Sequence, residues 1–409
     1  MRYYYPDYFD DFKCVSGKAC PDSCCHIWQI IVDKPTLRKY KKVDGELGKR
    51  MCSKINHKTG LIEPHGEEHR CEFLNDDNLC DIVCELGEEY LSNTCHTHPR
   101  HEEVYQGFRE RSIAITCPIA CKNLLKRKKP VAIKIVDTDE KDKKDKYFDK
   151  PLFDKLTYIR DEMLSLSQDR ELSVYSRMGL LLGMAHDLQR RINSRRSRKK
   201  KGFIQKFIPS HPEFTTGECE EIEKIASTYR EEKIYMKLVK LKTTDENAEA
   251  SMKKYLSDIM FTLCTMEALK PAWIPCIQSF LNVRNELTDE EYLKLQREFN
   301  SEVTEIELEQ LLYYFVYLYC CSAAYDEMLL AKIKMAVVNT VLIRELWFMK
   351  WLEDDKEISI DGKVEMSHWF VREVENSDEN MEQWDSLMQR NPRFSLEIIL
   401  YIIDGIKEI

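Results

Sequence analysis

Residues 305–325 read EIELEQLLYYFVYLYCCSAAY. Leu308, Leu311, Leu312, Phe315, Leu318 and Tyr319 recur there at three- and four-residue spacing, which lines one face of an α-helix. That pattern predicts a buried bundle helix rather than a membrane or cofactor face. The apolar run 311–324 is shorter than the roughly 18–20 residues needed to span a bilayer. Working outward, the same period predicts helices over 152–166, 172–192, 218–241, 248–269 and 328–351, with a final pair near 366–375 and 395–406. Only 13 glycines and 13 prolines interrupt 409 residues. The expected fold class is therefore mainly α: a helical, bundle-like domain over 151–409, preceded by a domain with few or no strands.

Length supports that division, because a single core stops growing near roughly 250–300 residues. Residues 126–150 are rich in Lys and Asp and read as a short strand or loop around 131–136 followed by a charged, solvated linker. Residues 1–125 then form the first domain. Asp33 with Pro35 opens one helix there, and Pro118 opens another that runs through Leu125. The net charge of -9 argues against a dedicated nucleic-acid binder. The opening MRYYYPDYFDDFK carries Asp7, Asp10 and Asp11 where a secretion signal needs an apolar run, so a cytoplasmic location is expected. The basic run 190–201 (RRINSRRSRKKK) reads as a solvated loop between helices that is able to touch an acidic partner or a membrane surface.

Cysteine is the anomaly. Of 16 in the chain, those at 14, 20, 24, 25, 52, 71, 80, 84, 95, 117 and 121 crowd the first domain. In a reducing compartment such a cluster reads as metal-binding rather than as a disulfide framework. Cys20 and Cys24, Cys80 and Cys84, and Cys117 and Cys121 are each four apart, so on a helix each pair shares a face. The adjacent Cys24 and Cys25 point apart in a helix or a strand, and need a bend to serve one small cluster. No C-x2-C knuckle is present, and nearby histidines keep a Cys/His zinc site open. The number of thiols exceeds the need of one zinc and favours iron–sulfur. The C-x3-C-x2-C triplet, the P-loop, the G-x-G-x-x-G turn and H-E-x-x-H are all missing.

Phe12-Lys-Cys14, Cys20-Pro-Asp-Ser-Cys24-Cys25-His-Ile-Trp28, Cys71-Glu-Phe-Leu74, Leu79-Cys80-Asp-Ile82, Thr94-Cys95, Pro99-Arg100 and Thr116-Cys117-Pro118 occur in order. This ordered set resembles the flagellin lysine-N-methylase family, and the CC pair also resembles a broader group of small iron- or zinc-binding proteins. Residues 308–317 resemble the family's C-terminal helix. The resemblance implies S-adenosylmethionine-dependent methylation of lysine on flagellin or another protein, with one or two [4Fe–4S] clusters. The implied ligands are Cys14, Cys20, Cys24, Cys25, Cys71, Cys80, Cys95 and Cys117; Cys52, Cys84 and Cys121 fall outside the pattern.

Two side chains are candidates for cofactor contacts: Trp28 by shielding a cluster or stacking on adenine, and Arg100 by pairing with a carboxylate. Methyl transfer to lysine also needs a base, since the ammonium pKa is about 10.4; Asp22, Glu88, Glu89 and Tyr90 are the candidates near the cysteines. Two alternatives are an iron–sulfur enzyme acting on another protein or a ribosomally made peptide, and a non-enzymatic zinc- or iron-binding helical scaffold.

Overall fold

The computed structural model describes all residues except 16, 27–29, 67–68, 143–144, 200–210 and 241–250. Among the described residues there are six short strands: β1 (Arg2–Pro6), β2 (Ile30–Ile31), β3 (Leu61–Ile62), β4 (Arg100–Tyr105), β5 (Phe108–Ile113) and β6 (Ile133–Asp137). Four of them form one sheet in the order β4-β5-β1-β6. The first strand is internal to it, parallel to β5 with Tyr3 opposite Arg109, and antiparallel to β6 with Tyr4 opposite Ile135. Strands β4 and β5 are a hairpin turned at Gln106-Gly107, where Gly107 takes a φ of +74° that a side chain would oppose.

Between parallel β1 and β5 the chain makes one long excursion. It holds α1 (Lys34–Tyr40), α2 (Gly45–Lys54), α3 (Asp81–Leu86), α4 (Asn93–Thr97) and the β2–β3 ladder. Its own core is small, with Ile30, Val32, Tyr40, Met51, Phe73 and Ile82 at the centre. Asp33 caps α1 by accepting from the Thr36 amide (3.1 Å), as its position before Pro35 predicts, and also accepts from the Asn93 amide (2.9 Å) at the start of α4. After β5 comes α5 (Pro118–Lys126), begun by Pro118.

The rest is helical: α6 (Lys150–Ser167), α7 (Val174–Lys199), α8 (Thr216–Thr228), α9 (Glu232–Lys240), α10 (Met252–Thr262), α11 (Trp273–Glu286), α12 (Asp289–Phe299), α13 (Glu305–Tyr319), α14 (Ala323–Asp326), α15 (Leu329–Glu353), α16 (Ile360–Glu375), α17 (Asp378–Arg390) and α18 (Leu396–Glu408). Helix α15 is buried on nearly every side and is packed by α7, α13, α16 and α17. Capping boxes at Thr215/Glu218, Thr288/Glu291 and Thr304/Glu307 start α8, α12 and α13. The chain is mainly α, and no described helix is long and apolar enough to cross a membrane.

Several expected elements differ. The helix expected over 218–241 is broken between α8 and α9, where Tyr229 is tied to Asp187 (2.7 Å) and Arg230 to Glu162. The one expected over 305–325 stops at Tyr319, passes through a 3-10 turn and resumes as α14. Helices α11, α12 and α17 were not anticipated. In α17 only Asn380, Trp384 and Met388 are buried, too few to give a clear stripe. Residues 190–199 are not a loop: they continue α7, and Arg195 is buried on Asp149 (2.7 Å) while Arg191 pairs with Glu221 (3.1 Å). Lys200 and Lys201 lie outside the described residues.

Candidate active site and cysteine region

Helix α16 connects the two parts of the molecule. Near its end it carries Arg372 and Glu375, three residues apart and therefore neighbours on one face. Arg372 is buried, and its Nε and Nη2 donate to the Thr116 carbonyl (3.3 and 3.1 Å). Its Nη1 lies 3.2 Å from Asp22 Oδ1. Thr116 precedes Cys117 and Asp22 lies between Cys20 and Cys24, so one C-terminal guanidinium holds two cysteine-bearing segments. Burial works against the charge on Asp22, but Arg372, with Lys270 at 3.8 Å, holds its carboxyl below the usual range. A carboxylate stabilised in this way is a poor proton acceptor.

Glu375, one turn further along, lines a cavity of about 530 Å³. Helix α13 supplies Tyr314, Tyr317 and Tyr319 to its wall, β5 supplies Glu110 and Ser112, and α4 with β4 supplies Thr94, Arg100 and Glu103. Tyr325 stands at its edge, 59% exposed. Glu375 Oε1 accepts from the Tyr319 hydroxyl at 2.6 Å and Oε2 from Tyr314 at 3.3 Å. The Tyr319 hydroxyl in turn accepts from Asn339 (3.2 Å), whose carbonyl accepts from the Trp384 indole (2.9 Å). This buried chain fixes the orientation of Tyr319. Burial pushes the Glu375 carboxyl up to about 7 despite its two phenolic donors. A carboxylate on the last residue of a helix also opposes the helix dipole.

Other groups in the wall are already committed or conspicuously free. Glu110 is paired with buried Arg160, whose guanidinium lies 3.7 Å from the centroid of the Tyr4 ring. The hydroxyls of Tyr105, Ser112 and Thr116 are buried and have no hydrogen-bond partner among the described residues. An adjoining depression of about 560 Å³ shares Asn376 and Asp378 with the cavity and is lined by Glu63, Glu267 and Glu379, which makes the approach acidic.

All 16 cysteines are free thiols, and those of the first domain gather in two neighbourhoods. In one, burial pushes Cys117 up to about 11, with Cys20 and Cys24 adding to the shift, and Cys20 is raised by burial together with Cys24 and Cys14. In the other, Cys71, Cys80 and Cys95 pack against the small core. Burial pushes Cys71 up to about 12 and Cys95 up to about 11, each also raised by Cys80. The chain turns at Cys24-Cys25, whose thiols are hydrogen-bonded to each other, and the Cys25 carbonyl accepts from the Cys71 amide (2.7 Å). Cys52 and Cys84 are exposed, and Cys121 is a core thiol against Ser367. Among the described residues no three His, Cys, Asp or Glu side chains are arranged as a metal site.

Of the two candidate cofactor contacts, Trp28 lies outside the described residues. Arg100 lines the cavity, donates to the Phe12 carbonyl (3.0 Å) and sits over the Phe12 ring (5.3 Å). Glu88, Glu89 and Tyr90 form a 3-10 turn after Gly87, and neither they nor Asp22 line the cavity. Glu375 was not singled out from the sequence. The one local signal for it is an acidic residue ending a helix where a basic one is favoured.

Residues 160–402 match the FliB lysine N-methylase C-terminal domain. The chain is also 31% identical over 127 residues to the flagellar biosynthetic protein FliU of Salmonella muenchen, a stretch covering 29% of this chain and 75% of FliU. It is 31% identical over 127 residues to lysine-N-methylases of Salmonella choleraesuis and Salmonella typhimurium, where the match covers 31% of each. The aligned stretch thus spans about a third of those two relatives. No solved structure matches.

Proposed function

The chain belongs to the FliB lysine N-methylase family, and from that premise we propose that it is a protein-lysine N-methyltransferase that uses S-adenosylmethionine in the cytoplasm, with flagellin as the protein substrate. The observation that carries this reading is the cavity. It opens between α13 and α16 of the family-matched helices and the segments that hold Cys95 and Cys117, and it joins a carboxylate to a tyrosine-rich wall. Lysine methylation needs such a desolvated, polar-ended pocket, in which the ammonium gives up a proton and the amine meets the methyl carbon in line.

The thiols fit an iron–sulfur centre by donor chemistry: they are soft and unpaired in disulfides, and the charge of buried Arg372, which reaches Cys24, suits an anionic cluster. They are not closed into a ligand shell, so loading has to draw them together. Cys14, Cys20, Cys24, Cys25, Cys71, Cys80, Cys95 and Cys117 are the residues that would hold one or two [4Fe–4S] clusters. Such a group would brace this small-cored region and supply an iron or an electron beside the cavity.

The test is to incubate protein purified without oxygen with S-adenosylmethionine and flagellin and to follow the mass of flagellin. Stepwise addition of single methyl groups to lysine is expected. No methylation by protein with full iron and sulfide content would overturn the enzymatic reading, and stoichiometric zinc without sulfide would replace the cluster.

A further inference from the structure

Resting on the methyltransferase reading, we infer that the tyrosine-lined cavity receives the substrate lysine side chain and that Glu375, positioned by Tyr319 and Tyr314, pairs with its ammonium and takes its proton. Three independent features of the cavity select this ligand. Tyr314, Tyr319 and Tyr325 line it, and aromatic rings attract a cation, methylated or not. The hydrogen bonds to Glu375 come only from phenols, and the nearby His101 imidazole, itself bonded to Glu103, acts on it through charge alone, whereas Glu110 is already satisfied by Arg160. The buried hydroxyls of Tyr105, Ser112 and Thr116 leave hydrogen-bonding capacity unused, which an apolar ligand would leave unsatisfied. The acidic depression that adjoins the cavity favours a basic stretch of substrate around the lysine.

The proton transfer follows from the surroundings. In water an ammonium and a carboxylate stay charged, but in a site that excludes water the neutral amine and carboxylic acid gain on the ion pair. Burial has already raised Glu375 toward neutral pH, which brings its proton affinity closer to that of a desolvated amine. Of its two oxygens, Oε2 is the less engaged, at 3.3 Å from Tyr314 against 2.6 Å between Oε1 and Tyr319. The lysine Nζ–H bond breaks with its electron pair staying on nitrogen, and the proton moves to Oε2. That pair forms the new bond to the methyl carbon of a sulfonium donor, and the carbon–sulfur bond breaks with its pair leaving on a neutral thioether. Once Glu375 has released that proton to solvent, the methylammonium loses its next proton by the same route and is ready for the next methyl transfer.

The full-length protein is titrated by calorimetry with a short peptide carrying one lysine and with the same peptide acetylated on that lysine. Wild-type protein is expected to bind the lysine peptide at least about tenfold more tightly than the acetylated one. Glu375→Gln is expected to lose that discrimination. Tyr319→Phe is expected to keep it and to move the pH dependence of methylation upward, because one donor to the carboxylate is gone. Glu298→Gln, on the surface beside Lys356, serves as the unaffected control. Equal binding of the two peptides by wild-type protein, or full discrimination by Glu375→Gln at an unchanged melting temperature, would overturn the assignment. Should Glu375→Gln not fold, an unshifted pH profile in Tyr319→Phe does the same. Discrimination that depends on Glu375 without any methyl transfer would keep the pocket and sink the methyltransferase reading. Methylation untouched by Glu375→Gln would do the opposite.

Discussion

The excursion between β1 and β5 and the helical layer around α15 solve the same problem in different ways. The helices bury long apolar faces on one another, and α15 is enclosed almost completely. The excursion has two-residue strands, helices of five to ten residues, and a core of ten buried side chains, with cysteines packed at its margin. Helices that short are marginal without tertiary support. The contrast teaches that one region carries its stability in hydrocarbon, while the other has a small core with thiols at its margin, which the proposed cluster would complete.

That contrast can be broken most severely with a chelator. Stripping metal from anaerobically purified protein is expected to open the excursion to protease while the helices stay protected, as read by mass spectrometry of the fragments; equal protection of both would erase the difference. Next in size, Leu342→Ala in α15 is expected to cost about 2–5 kcal/mol in denaturant unfolding, since Leu342 is fully buried. Arg372→Ala, which removes the shared anchor of Asp22 and Thr116, is expected to cost roughly 1–3 kcal/mol and to lower iron content, thus affecting both regions.

A smaller effect depends on pH. Glu375 and Glu373 are both pushed up to about 7 from 4.5, mainly by burial. The folded state therefore holds their protons where the unfolded state has released them. Their contribution is fully present below 4.5 and is lost as pH rises to about 7. The melting temperature of wild-type protein relative to Glu375→Gln is expected to fall across that window, and a flat difference would show the carboxyl is not shifted. Smallest are the caps: Thr304→Ala and Asp33→Ala are each expected to cost about 1 kcal/mol. Asp33 exceeds Thr304 if its second bond, to Asn93, matters to the excursion.

Much of the helical half was legible because Leu308, Leu311, Leu312 and Phe315 keep a strict period and are all buried. Helices α12 and α17 were not, because a helix that buries three side chains leaves no stripe to read. Strand β1 was missed because its partners lie more than a hundred residues away. The same distance hid the site. Local spacing pointed to the carboxylates nearest the cysteines, yet Glu88 and Glu89 face solvent, and the carboxylate in the cavity comes from α16. The tyrosines of α13 read as core, and one edge of that core turns out to be a wall.

The position of β1 has a consequence for biosynthesis. Residues 2–6 are translated before both of their neighbours in the sheet, 108–113 and 133–137, which follow more than a hundred residues later. Until β6 leaves the ribosome, the opening strand has unpaired edges and the thiols behind it wait in an unclosed loop. A cluster loaded during synthesis would therefore meet a nascent chain whose first eleven cysteines, Cys14 through Cys121, are translated before β6 completes the sheet.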